Sequence, residues 1–211
     1  MDLMNDALFI GQGMLLTLQL LFGGIAAGLM VGTGFAVLRY KNWGAFFINR
    51  FISIVRGTPV ILQLSFVYFS VPGVLGVKLS ILTAGVFTLG LNSSAYIAEI
   101  LRAGIESLPK GQFEAAKTLQ IGTWPMWKDI ILPQVVRNVL PSLINEVIAL
   151  LKETALIATI GGMDIMRRAQ SMAAEKFTYF MPICIAGVYY YVLVVLIEYL
   201  GKKIEQRGSH A

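Results

Sequence analysis

Residues 114–134 read EAAKTLQIGTWPMWKDIILPQ, a polar and basic stretch between runs too apolar for an ordinary soluble domain. Locally it reads as two short helices. Glu114-Ala115-Ala116-Lys117 continues a helix, and Gly122-Thr123 breaks it, with an N-cap ahead of Trp124-Pro125. A second piece is expected to end at Leu132-Pro133, because a proline cannot continue the hydrogen-bond ladder. The Ala115-Ala116 pair leaves a low-relief surface that another protein can approach closely. Glu114 and Lys117 give that surface charged edges.

The composition around this stretch sets its context. Hydrophobic residues make up 56% of the chain and charged residues 14%, and the mean hydropathy is +0.72. A soluble domain carries about a quarter charged residues, so most of this chain faces lipid or other buried helices. Its net charge of +5 therefore fits lysines and arginines gathered on cytoplasmic loops better than a nucleic-acid surface. Cys184 is the only cysteine and lies in an apolar run, so neither a disulfide nor a thiolate metal site is expected. His210 is the only histidine, at the C-terminal Gly-Ser-His-Ala, which excludes histidine catalysis. No G-x-x-x-x-G-K-[ST] occurs, and Gly201-Lys202 is followed by Lys203, so the chain does not bind ATP by that route. The acidic start lacks the basic region of a cleaved signal peptide.

Residues 7–38 carry no charge. A bilayer core needs about 20 apolar residues, so the first part is expected along the interface and the rest across it. Gly24, Gly28 and Gly32 recur on one face, which suits close helix packing within the chain more than a dimer face. Arg39, Lys41 and Arg50 mark a cytoplasmic turn by the positive-inside rule, placing the N-terminus outside. Residues 51–69 then form a second span. There Pro59 frees a carbonyl, and a kink is expected to hold a buried Arg56.

A third span covers residues 81–100. Asn92 lies at mid-depth, where an amide must face the bundle interior or a cavity. Glu99 and Arg102 are one turn apart and pair on one face as the helix leaves the membrane. Pro141 suits the first turn of a fourth span, which carries Asn145, Glu146, Lys152 and Glu153 among Leu and Ile. Each charge near the bilayer centre costs on the order of 3 kcal/mol, so these residues are functional-site candidates by default. Glu146 and Glu153 are seven apart, nearly on one helix face. Residues 177–197 return the chain to an inner Lys202-Lys203. The expected fold is all-α and membrane-integral, with five transmembrane helices, N-terminus outside and C-terminus cytoplasmic. The whole of residues 1–211 forms one domain.

Residues 114–134 closely resemble the cytoplasmic "EAA loop" of permease subunits of ATP-binding-cassette importers, whose pattern is E-A-A, then glycine, then I-x-L-P. Glu114, Ala115, Ala116, Ile130, Leu132 and Pro133 match it. The loop glycine is replaced by Gln120, and Gly122 follows two residues later. Arg56-Gly57-Thr58-Pro59 is similar to a phrase of the polar amino acid subfamily. So are Leu91-Asn92-Ser93-Ser94-Ala95-Tyr96 (L-N-S-G-A-Y there), Lys152-Glu153-Thr154-Ala155-Leu156 (K-D-T-S-L) and Arg168-Ala169-Gln170.

The resemblance implies a type I importer permease in a bacterial inner membrane, itself non-catalytic. Its partners are a second permease subunit, two ATPase subunits that bind the ATP and magnesium, and an extracytoplasmic amino-acid-binding protein. A coupling loop at about residues 106–134 docks on the ATPase through Glu114, Ala115, Ala116, Lys117, Leu119 and Gly122. Asn92 and Glu153, then Glu146 and Gln63, are candidates for the substrate pathway; Arg56, Pro59, Glu99 and Arg102 are structural or gating candidates. Two other classes remain open. A secondary transporter usually shows internal repeats and more helices, and a membrane-embedded enzyme needs a catalytic constellation; neither feature is found.

Overall fold

The computed structural model describes residues 3–209, and every regular element among them is helical. His210 lies outside the described residues. A short α1 (Leu3–Gly11) turns at Gln12-Gly13 into the long α2 (Met14–Tyr40). Next come α3 (Ala45–Gly57), α4 (Val60–Ser65) with its π-helical extension Phe66–Ser70, and α5 (Val71–Leu75). The central helix is α6 (Ile81–Glu106). Two short helices, α7 (Lys110–Thr118) and α8 (Thr123–Pro125), then lead through a π-helical turn (Met126–Ile131) into α9 (Leu132–Glu153). A 3₁₀ segment (Thr154–Ile160), α10 (Ile165–Glu175) and α11 (Phe180–Ser209) complete the chain.

Among the described residues, three helical stretches are long and apolar enough to cross a membrane: Leu3–Tyr40, Ile81–Glu106 and Phe180–Gln206. The pair Ala45–Gly57 and Val60–Leu75 makes a fourth if its two arms are one span. The expected second span is thus not a kinked helix but two helices meeting at 104°. Thr58 is extended there and Pro59 supplies no amide hydrogen. α9 is not among the long apolar stretches; it carries Arg137, Glu146, Lys152 and Glu153.

The prolines of the loop behave differently from expectation. Pro133 does not end a short piece but sits in the first turn of α9, and the helical run continues through it from the π-helical turn although its missing amide forbids one bond. The wide turn just before it takes up the ring. Pro141 lies inside α9 instead of opening a helix.

α2 packs along α6 through its small residues. A methyl group built on Gly28 would come 2.8 Å from the Ser93 Cβ, and one on Gly32 2.7 Å from the Ser94 carbonyl oxygen. The glycine stripe therefore serves packing inside the chain. The main core joins Ile10, Leu20, Leu64, Leu150, Leu151, Ile157 and Ile165 from six different segments. A second core of Leu108, Ala116, Met126, Ile131, Val135 and Val139 seals the loop region against the adjoining ends of α6 and α9.

The bend between α7 and α8 turns on Gln120, whose φ is +54°. That left-handed conformation costs an L residue about 1–2 kcal/mol and glycine almost nothing. The position is the one where the EAA pattern has glycine, so the pattern's glycine has a conformational cause. Gln120→Gly is expected to stabilise the protein by roughly 0.5–1 kcal/mol once the greater freedom of the unfolded chain is subtracted. The check is a rise of the thermal midpoint by about 1–4 °C; an unchanged or lower midpoint contradicts it.

Candidate functional site

The break at Thr58-Pro59 strands backbone carbonyls that a continuous helix would use. Gln63 takes them up. Its Nε2 donates to the Val55 carbonyl (2.8 Å), the Thr58 carbonyl (3.2 Å) and the Thr58 hydroxyl (2.9 Å). The Thr58 hydroxyl in turn donates to the Ile54 carbonyl at 2.9 Å. Gln63 thus clamps the two arms at the bend, a duty expected here of Arg56. Its Oε1 is left to accept from Asn92 Nδ2 at 3.4 Å. Asn92 is 2% exposed, inside the bundle as a membrane-depth amide must be.

One residue along α6, the Ser93 hydroxyl donates to Glu146 Oε1 at 2.7 Å. Glu153, two turns further along α9, faces the same region closely enough to feel the Glu146 charge. It makes no hydrogen bond or ion pair among the described residues. Lys152, its neighbour in sequence, points elsewhere. It lines a separate recess of about 280 Å³ with Met166, Ile183 and Tyr190. Three of the four expected pathway residues are therefore held in two bonded pairs, Gln63–Asn92 and Ser93–Glu146, and the fourth, Glu153, lies beyond them. Two carboxylates stand here without a cation against either, and desolvation makes that costly unless something positive visits.

A second polar cluster lies at the other end of α6. Glu99 accepts from Arg102 Nε (3.1 Å) and Nη2 (2.9 Å) and from Arg39 Nη1 (2.5 Å), and Arg56 Nη1 stands at 3.8 Å. The expected Glu99–Arg102 pair is present, and Arg102 also holds Glu106. Arg56 is not buried, with a side chain 42% exposed. The Arg39 contact, sixty residues away in the chain, is invisible to helix spacing. The one hint of it was a basic residue at the α2 end and an acidic one at the α6 end assigned to the same membrane face.

In the loop, Glu114, Ala115, Lys117, Leu119 and Gly122 are exposed, whereas Ala116 is 2% exposed and packs into the second core. The Ala115-Ala116 pair therefore does not form one outer surface: the first faces out and the second in. Leu119 and Trp124 project beside it, 72% and 75% exposed. Two side-chain bonds brace the loop. Gln112 and Gln134 exchange reciprocal amide bonds of 2.9 and 2.8 Å, and Asn138 donates to the Ser107 hydroxyl at 3.2 Å.

Sequence reading also missed Asp164, which is fully buried. Its Oδ1 caps α10 by accepting from the Arg167 amide (2.8 Å), and its Oδ2 accepts from the Tyr190 hydroxyl (3.1 Å). Burial pushes its carboxyl above the usual carboxylate range despite those donors. An N-cap signal, Asp before Ile-Met-Arg-Arg, was available in the sequence, but its burial was not.

Similarity to known proteins converges with this geometry. The chain is 46% identical to a Rickettsia felis protein provisionally named glutamine transport system permease protein GlnP, over 95% of this chain and 93% of that one. It is 40% identical to the arginine transport system permease protein ArtQ of Bacillus subtilis, over 94% and 92%. Its fold matches a solved amino acid ABC transporter structure, crystallised with histidines, at a TM-score of 0.87 and 34% identity over 94% of each chain. Inward-facing structures of the MetNI methionine ABC transporter share the fold at a TM-score of 0.80 and 18% identity, over 95% of this chain and 96% of that one. Residues 21–209 match the family model described as binding-protein-dependent transport system inner membrane component, and the chain belongs to that family.

Proposed function

We propose that this chain is one permease subunit of a binding-protein-dependent, ATP-driven importer of polar amino acids, in a bacterial inner membrane. Its single domain crosses the membrane five times, α9 included, with the N-terminus outside and the C-terminus inside. The excess of basic residues on the α2–α3 turn and the α7–α9 loop supports that orientation. Five helices cannot enclose a pathway alone, so a second permease subunit faces this one. Two ATPase subunits bind ATP and magnesium below, and an extracytoplasmic binding protein delivers substrate above. No cofactor belongs to this chain.

The observation that carries the substrate reading is the pair of carboxylates, Glu146 and Glu153, without a neutralising cation. An amino acid brings an ammonium and, in the basic ones, a second cation, and Asn92 beside them supplies amide hydrogen bonding. Closure of the ATPase dimer draws the two coupling loops together through Ala115, Glu114, Lys117, Leu119 and Gly122. The permeases then rock between inward- and outward-facing states, an equilibrium biased by ATP on one side and by the docked binding protein on the other.

The test uses the complex with its ATPase in nanodiscs, titrated with binding protein and single amino acids. A subset of amino acids, acting through the binding protein, is expected to stimulate ATP hydrolysis. Glu153→Gln should lower kcat/KM for substrate-driven transport roughly tenfold or more, the loss of one charged contact. Unchanged transport in that variant removes Glu153 from the pathway.

A further inference from the structure

Between α6 and α9, beside Glu99, opens a cavity of about 410 Å³ lined by Arg56, Glu99, Arg102, Ser107, Asn138 and Ser142. The charges around it do not balance. Arg39, Arg56 and Arg102 face only Glu99 and Glu106, which leaves one guanidinium in excess. The surplus group is Arg56. At 3.8 Å from Glu99 Oε2 it is beyond hydrogen-bond length, and it makes no hydrogen bond among the described residues. Glu99 has little left to offer it, since Arg39 holds one oxygen and Arg102 grips the other with two nitrogens. The Tyr96 ring, its centroid 5.1 Å from Arg56 Cζ, supports the guanidinium from one face by a cation–π contact that uses none of its N–H donors.

Two guanidiniums thus flank one carboxylate oxygen at the mouth of the cavity, and one of them has unused donors. That is the chemistry of a carboxylate or phosphate clamp. The facing wall is of opposite character. Asn138 spends its Nδ2 on Ser107, so its Oδ1 and the Ser142 hydroxyl remain as acceptors. A ligand with a carboxylate at one end and an ammonium a few bonds away satisfies both walls.

We propose that this cavity is a second amino-acid site, on the cytoplasmic side of the pathway, which holds the transported amino acid by its α-carboxylate as it leaves. The proposal rests on the importer reading above, with the α6–α7 turn inside the cell. Amino acid accumulated inside then occupies the site and slows further turnover.

Proteoliposomes of the complete complex test it, with binding protein and labelled amino acid enclosed, ATP outside, and rising unlabelled amino acid outside. Transport is expected to fall with the outside amino acid and not with its carboxamide. Arg56→Gln and Ser142→Leu should each raise the half-inhibitory concentration roughly tenfold, as for loss of one charge-assisted bond. Ser142→Leu fills the cavity without touching an ion pair, so it decides the matter if Arg56→Gln fails to assemble. Three results would each overturn the site: wild type without inhibition, equal inhibition by the carboxamide, or Ser142→Leu inhibited like wild type. Inhibition that follows phosphatidylglycerol content instead of amino acid would reassign the clamp to a lipid headgroup and also overturn it. Absence of any ATP-driven transport in the wild type would instead fell the importer reading itself.

Discussion

Gly13→Ala is expected to lower stability by about 3–5 kcal/mol, read as a fall of roughly 6–15 °C in the thermal midpoint of the purified complex. The new Cβ would lie 2.3 Å from the Asp164 carbonyl carbon and 2.4 Å from the Ile165 nitrogen. These are backbone atoms on a helix start, so no side chain can swing aside. Relief requires parting the α1–α2 turn from α10, and that disturbs the buried Asp164 cap, itself worth about 1 kcal/mol. Gly34→Ala is the control, since nothing lies within 4 Å of a Cβ there. In a helix that exchange should be neutral or stabilising by up to about 1 kcal/mol. Equal midpoints for the two variants would contradict the close-approach argument.

Ala115→Glu and Ala116→Glu should separate coupling from folding. At Ala116 a carboxylate would enter the core of Leu108, Met126 and Ile131, where an unpaired charge costs several kcal/mol. That variant is expected to lose its folded loop and yield little protein. At Ala115 the same side chain meets solvent. The permease should keep its stability within about 0.5 kcal/mol, as surface substitutions do, yet fail to retain the ATPase on purification. A stable Ala115→Glu permease that still couples to its ATPase would remove this face from the docking surface.

How much of this was legible beforehand follows from the range of each interaction. The glycine stripe, the amide at Asn92 and the pair Glu99–Arg102 are local patterns, and a helix's own geometry places them. The EAA pattern located the loop, and its missing glycine marked the residue that adopts a left-handed conformation. Long-range partners were out of reach: Arg39 on Glu99, Gln63 on the Thr58 carbonyls, Tyr190 on Asp164. Each joins helices whose relative rotation no spacing rule determines. The prolines misled for a related reason. Pro133 and Pro141 forbid one hydrogen bond each, but a preceding π-helical turn and tertiary packing keep α9 helical through both. Ala115 and Ala116 look alike in sequence, and only the core beneath α7 distinguishes them.

The reciprocal Gln112–Gln134 bonds have a mechanical consequence. Together with Asn138–Ser107 they tie α7 to the first turn of α9 and the end of α6 to its second. A hinge at either place would take up part of any thrust as slack. With both braced, a displacement applied at the exposed face of α7 reaches the shaft of α9 with little lost motion. Glu146 and Glu153 ride on that shaft, so under the proposed coupling the loop would work less as a flexible tether than as the short arm of a crank.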